Sequence, residues 1–271
     1  MRYVAILGLC AACILGLCII RFRARSRSVG GGETRPYYRI VNLVIYDESS
    51  EYERRMQAEL RRLLRDGMHG LSIKQLFVSC QPTLASTTHE AGDMLHVQCT
   101  ESYVPGILQK TLEAMRHCTE AYAFEFLVRS NISTIIDFRR LQTELPATSD
   151  ALYASSSVFH LDEPDQSFAS GTNVILNRRA VEYATANVDY AQFDVPDDVA
   201  LGEVLRRVTT PRVIPVAMYW NEDNPGGVVF RNRDDAQDRS KDVARMATIV
   251  DRIVAEHRNT VGESPIQQGR L

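Results

Sequence analysis

The chain has 271 residues, of which 24% are charged, and a formal net charge of −3. That composition excludes a wholly disordered chain, and the lack of a basic excess argues against nucleic acid as a partner. Of the 31 basic residues only Lys74, Lys110 and Lys241 are lysine, which reads as a codon bias rather than a functional arginine surface.

Tyr3 to Ile20 is an uncharged run of eighteen residues. As a helix it would span roughly 27 Å, close to the thickness of a bilayer core. Arg21, Arg23, Arg25 and Arg27 follow it, where a cleaved signal peptide would show small residues. The expectation is an uncleaved transmembrane anchor over 1–30 and a short stem over 31–38. The arginine flank, read by the positive-inside rule, would keep the following body in the cytosol. Residues 1–30 carry +5, and the rest has 26 basic against 34 acidic residues. A basic anchor is thus joined to an acidic body. Cys10, Cys13 and Cys18 lie in the apolar run as small hydrophobes or acylation sites. Cys80, Cys99 and Cys118 form no CxxC, so one disulfide at most is expected and no zinc site.

In the body, Arg39 to Tyr46 reads as a strand. Ser49 or Ser50 then caps a helix to about Arg65, with Glu51 and Glu53 in its first turn and Gly67 after it. Ile73 to Ser79 and Asp93 to Gln98 read as strands, Pro105 to Cys118 as a helix, and Phe124 to Arg129 as a buried strand. Phe168 to Leu176 reads as a turn and strand before a helix from Arg178. Asp197 and Asp198 open a helix ending near Val208, Val213 to Trp220 is a late strand, and Lys241 to His257 is an amphipathic helix. A disordered tail over 259–271 is expected. The alternation implies an α/β fold with a mostly parallel, Rossmann-like sheet, which binds ligands at the C-terminal strand ends. Tyr46 and Asp47, after the first strand, are therefore candidates, although Tyr46 also reads as a packing aromatic. Trp220 reads as a core residue at a strand end and His160 as a surface histidine. The P-loop, GxGxxG, GxSxG and HExxH signatures are all missing.

Three segments stand out in order: Asp93 to Cys118 with Glu101, Tyr103, Lys110 and Thr111, then Phe168 to Ala180, then Pro196 to Gly202. Together they resemble the fringe and β-1,3-galactosyltransferase type of glycosyltransferase. The resemblance implies a single GT-A domain over 39–258 and a hexosyltransferase-like activity. In it a sugar moves with inversion from a nucleotide-sugar donor to the hydroxyl of a glycan or glycoprotein acceptor. It makes Asp198 the catalytic base and Asp197 the neighbouring acid, although an aspartate there also caps a helix. Donor contacts fall on Arg129, Ser130, Asn131 and Ser133 with Tyr46 and Asp47, and acceptor contacts on Ser170, Gly171 and Thr172.

The pattern breaks at the Asp-x-Asp that would hold Mn²⁺ or Mg²⁺, which is Asn131-Ile132-Ser133 here. Neutral oxygens are weak ligands for a hard cation. The expectation is therefore no certain metal, with Arg129 or another arginine neutralising the diphosphate. The alternative is a catalytically inactive, membrane-tethered protein that binds a glycan or nucleotide sugar, and a third reading is a cytosol-facing scaffold. Asn131-Ile132-Ser133 is also a sequon, in a place where modification is not expected. The family implies an ER or Golgi membrane, against the cytosolic orientation read from the arginines, and both remain open.

Overall fold

The structure, a computed structural model, describes residues 34–160, 167–234 and 238–262. The predicted anchor, residues 31–33 of the predicted stem and the end of the tail lie outside the described residues. Among the described residues, no helix is long and apolar enough to cross a membrane.

The elements run β1 (Tyr37–Ile45), α1 (Glu51–Gly67), β2 (Ile73–Cys80), β3 (Thr88–Ala91), β4 (Met94–Val97), α2 (Gly106–Ala121) and β5 (Ala123–Asn131). Next come β6 (Thr134–Ile136), α3 (Phe138–Glu144), β7 (Tyr153–Ser155), β8 (Val158–His160), β9 (Ser167–Ala169), β10 (Asn173–Asn177) and α4 (Arg178–Ala186). The chain continues with α5 (Asp197–Leu205), β11 (Arg212–Val213), β12 (Met218–Trp220), β13 (Val229–Arg231) and α6 (Ser240–Gly262).

The main sheet has the order β11-β7-β10-β5-β1-β2-β4-β3. Its centre, β5-β1-β2-β4, is parallel, and β10 runs antiparallel between β5 and β7. Successive parallel strands proceed from β1 to β2 and β4 on one side, then return to β5 on the other. The reversal between β1 and β5 leaves a crevice at the C-terminal ends of the two strands, where ligands bind in open α/β sheets.

The sheet is covered on both faces, so its central strands read as near-continuous apolar runs. Val44, Phe77 and Val128 face one layer with Met56 and Leu60 of α1 and Met246 and Ile253 of α6. Val41, Leu43 and Leu127 face the other with Met115 of α2, Val181 of α4 and Val204 of α5. Ser50 caps α1, its side chain accepting from the N–H of Glu53 at 3.3 Å. Asn177 caps α4, accepting from the N–H of Ala180 at 3.1 Å.

Several expectations are corrected. Tyr37 and Tyr38, placed in the stem, begin β1. The strand predicted from Asp93 is the second arm of a hairpin, β3–β4, whose two-residue turn needs Gly92 at φ +67°. The predicted strand Val213 to Trp220 is two pieces in two sheets, β11 and β12. Pro215 between them has no N–H to give a ladder. The last helix continues to Gly262, past the predicted start of the tail. The small sheet β12-β13-β6 was not anticipated. Cys80 and Cys99 form a disulfide, and Cys118 is free and buried.

Candidate functional site

A cleft of about 710 Å³ opens at the β1/β5 reversal, a volume ordinary for a small-molecule site. Several chain segments converge on it, among them the ends of β1 and β5, the turn before β10, the first turn of α5, and the end of β13 with the segment after it.

The α5 corner is built by close approach. Gly202 brings α5 against β9, because a Cβ there would lie 2.7 Å from the Cβ of Phe168. A Cβ on Gly171 would lie 3.0 Å from Asp198 Oδ2 and 3.1 Å from Arg129 Nη1. The bare backbone lets Gly171 N–H donate to Asp198 Oδ2 at 3.0 Å. Its carbonyl accepts from Asn131 Nδ2 at 2.9 Å and from Arg129 Nη1. One glycine thus ties the end of β5 to the start of α5.

Asp197 and Asp198 are adjacent but lie in different surroundings. Asp197 is buried and takes Arg129 Nη2 at 2.8 Å. Burial pushes its carboxyl above the usual range and Asp198 adds to this, while Arg129 opposes. Asp198 is only half-buried and lines the cleft. Its Oδ1 accepts from Val199 N–H at 3.0 Å, so each carboxylate oxygen keeps further acceptor capacity. Neither aspartate is the N-cap of α5; that residue is Pro196, which makes no side-chain cap bond.

Lys110 of α2 reaches the end of β1, where Nζ donates to the Tyr46 carbonyl at 2.9 Å and pairs with Glu101. Burial depresses its protonation, against the pull of Glu101. Glu101 is itself tied to the disulfide, accepting from the Cys80 N–H at 3.1 Å.

Of the candidate residues, Tyr46, Asp47, Arg129, Asn131, Ser133, Ser170, Gly171, Thr172, Asp197 and Asp198 all line the cleft. Ser130 does not. Strand side chains alternate between faces, so it points away from Arg129 and Asn131 and donates to Asn42 Oδ1 at 3.1 Å. Tyr46 is both a lining residue and a packing aromatic, edge-on to Phe77. Trp220 is no core residue: it is 55% exposed at the rim of the cleft. His160 is exposed and bonds Ser167 at 2.8 Å. Glu53, Phe159, Arg231, Arg233, Asp234 and Arg239 also line the cleft and were not predicted.

The residues present do not fit a divalent metal at the Asn131–Ser133 position. Asn131 Oδ1 already accepts from Arg129 at 3.0 Å and Ser133 Oγ from Arg231 Nη1 at 2.7 Å. Guanidinium groups therefore hold both oxygens that would ligate a metal. No group of three metal-ligating side chains is found among the described residues.

No protein-family model matches the chain, and no curated protein sequence does. Similar solved structures are glycosyltransferases. One is the galactosyltransferase LgtC in complex with donor and acceptor sugar analogs, 10% identical, with TM-score 0.44, covering 78% of this chain and 95% of that one. Another is the apo form of the glycosyltransferase GlyE from Streptococcus pneumoniae TIGR4, 10% identical, with TM-score 0.43, covering 86% of this chain and 65% of that one. A likeness of this size carries no conclusion about activity.

Proposed function

We propose that the chain is a membrane-anchored glycosyltransferase that moves a sugar from a nucleotide-sugar donor to an acceptor hydroxyl, with inversion and without a divalent metal. The observation that carries this reading is the division of labour between Asp197 and Asp198. Asp197 is committed to Arg129, while Asp198 is left facing the cleft with its geometry fixed by Gly171. An acceptor hydroxyl is a weak nucleophile, so a positioned carboxylate must take its proton as it attacks the anomeric carbon. Asp198 is that base. Arg129 holds Asp197 and the Gly171 turn and is a positioning residue.

Tyr103 and Trp220, 68% and 55% exposed, stand at the cleft mouth with Phe159. Apolar rings open to water suit the face of an acceptor sugar, next to Ser170 and Thr172. The Cys80–Cys99 disulfide supports a lumenal rather than cytosolic body, since such bonds persist in oxidising compartments.

The test uses the full chain in detergent with a panel of nucleotide sugars and acceptors, measuring nucleotide release in EDTA. Turnover is expected, and Asp198→Asn should lower it by about 10²- to 10⁴-fold. Donor binding with no turnover under any condition would favour the inactive binding protein, which the loss of the Asp-x-Asp carboxylates supports.

A further inference from the structure

Five cationic side chains line the cleft: Lys110, Arg129, Arg231, Arg233 and Arg239. Three of them are answered by carboxylates. Lys110 pairs with Glu101, Arg129 with Asp197 at 2.8 Å, and Arg239 with Asp242 at 2.9 Å. Arg231 and Arg233 make no ion pair among the described residues.

Arg231 ends β13, directly across from Thr134 of β6. It is only 6% exposed. Its Nη1 donates to Ser133 Oγ at 2.7 Å and to Thr134 Oγ1 at 3.3 Å. Both acceptors are neutral hydroxyls, and Nε and Nη2 donate to no group among the described residues. A buried charge is ordinarily paired, because desolvation without compensation is costly. The surroundings deepen the problem. Burial, and then the like charges of Arg233, Arg129 and Arg239, push the Arg231 guanidinium down to about 9, against the pull of Asp242. Asp242 is occupied by Arg239 and Arg245. Asp234 is the nearest acidic residue in sequence on the cleft wall.

We propose that Arg231, with Arg233 beside it, is a metal-free binding site for the diphosphate of a nucleotide sugar. A guanidinium presents a planar fork of donors that matches phosphate oxygens. Two unanswered cations suit a group with more than one negative charge. Ser133, which the resemblance would give to a metal, instead orients Arg231, so a fixed guanidinium stands beside the position a cation would take. In that place it would also stabilise charge developing on a departing nucleotide diphosphate. Only the identity of the ligand as a sugar nucleotide rests on the transferase reading; the anion site does not.

The experiment is calorimetric titration of the full chain in detergent and EDTA with inorganic pyrophosphate, then with uridine diphosphate. Both should bind. Arg231→Gln should weaken binding by about ten- to a hundredfold, the range for charge-assisted hydrogen bonds. Arg233→Glu, at an exposed position that does not threaten the fold, should weaken it by about fivefold or more through its reversed charge. Binding that needs Mn²⁺, absence of binding by the wild type, or unchanged affinity in Arg231→Gln would each overturn the site. Should Arg231→Gln fail to fold, Arg233→Glu decides, and unchanged affinity there overturns it. Arg231-dependent pyrophosphate binding with no turnover of any sugar nucleotide would leave the site standing and remove the transferase reading.

Discussion

The two ends of the cleft handle charge in opposite ways. At the α5 end Arg129 and Asp197 are locked together, and Lys110 and Glu101 do the same beneath the end of β1. At the β13 end Arg231 is just as buried but is held by hydroxyls alone. A paired charge spends its field on its partner and fixes geometry. An unpaired one keeps its field for a ligand. The difference separates residues that shape the cleft from residues that grip what enters it, and substitutions should sort accordingly.

The largest effect is expected at Asp198. Asp198→Asn keeps the shape and removes the base, so kcat should fall by about 10²- to 10⁴-fold with the melting temperature nearly unchanged. A variant that retains activity would mean that proton transfer lies elsewhere.

Arg129→Met strands Asp197 without its cation. A loss of about 3–5 kcal/mol is expected in denaturant titration, as for a broken buried pair. The double variant with Asp197→Leu should recover part of it. If Arg129→Met were harmless to stability yet abolished donor binding, Arg129 would belong with the gripping residues and the contrast would collapse.

Lys110→Met should cost about 2–3 kcal/mol, less than a fully buried pair because Glu101 is partly exposed. Its pH signature has a definite sign. The folded state holds Lys110 below its ordinary value, so between the lowered folded-state value and the ordinary one of about 10.4 the unfolded chain binds more protons. The lysine's contribution to stability therefore improves as pH rises through that window. Melting curves from pH 8 to 10.5 should show wild type gaining on Lys110→Met.

Gly171→Ala is the smallest change. Its Cβ would press on Asp198 and Arg129 at about 3 Å, and a displaced base should lower kcat by about tenfold with less than about 1.5 kcal/mol lost in stability. Unaltered kcat would show that the turn has slack.

Much of this was legible beforehand. β1, β2 and β5 announce themselves as apolar runs, and the fold rule for strand ends leads to Tyr46 and Asp47, while Arg129 and Asn131 follow from the family resemblance. The aspartates and the Ser170–Thr172 turn came from ordered motifs. Ser130 departs from the expected site because a contiguous strand segment is not one surface: its side chains alternate between faces. Arg231 was missed for a different reason. It sits on a three-residue strand whose partner lies about a hundred positions earlier, so no local pattern marks it. In a chain so biased towards arginine, composition does not mark a buried guanidinium held by hydroxyls alone.

The Cys80–Cys99 bridge has a further thermodynamic consequence. It closes a loop with a sequence separation of 19, which by chain-entropy reasoning removes about 3 kcal/mol of freedom from the unfolded chain. That loop carries the β3–β4 hairpin, and its first cysteine supplies the N–H that anchors Glu101. The stabilisation exists only while the bond does. In a reducing environment the same polypeptide would give up that share of its folding free energy, a sizeable part of the 5–15 kcal/mol typical of a domain. Glu101, and through it Lys110 and the floor of the cleft, would loosen first.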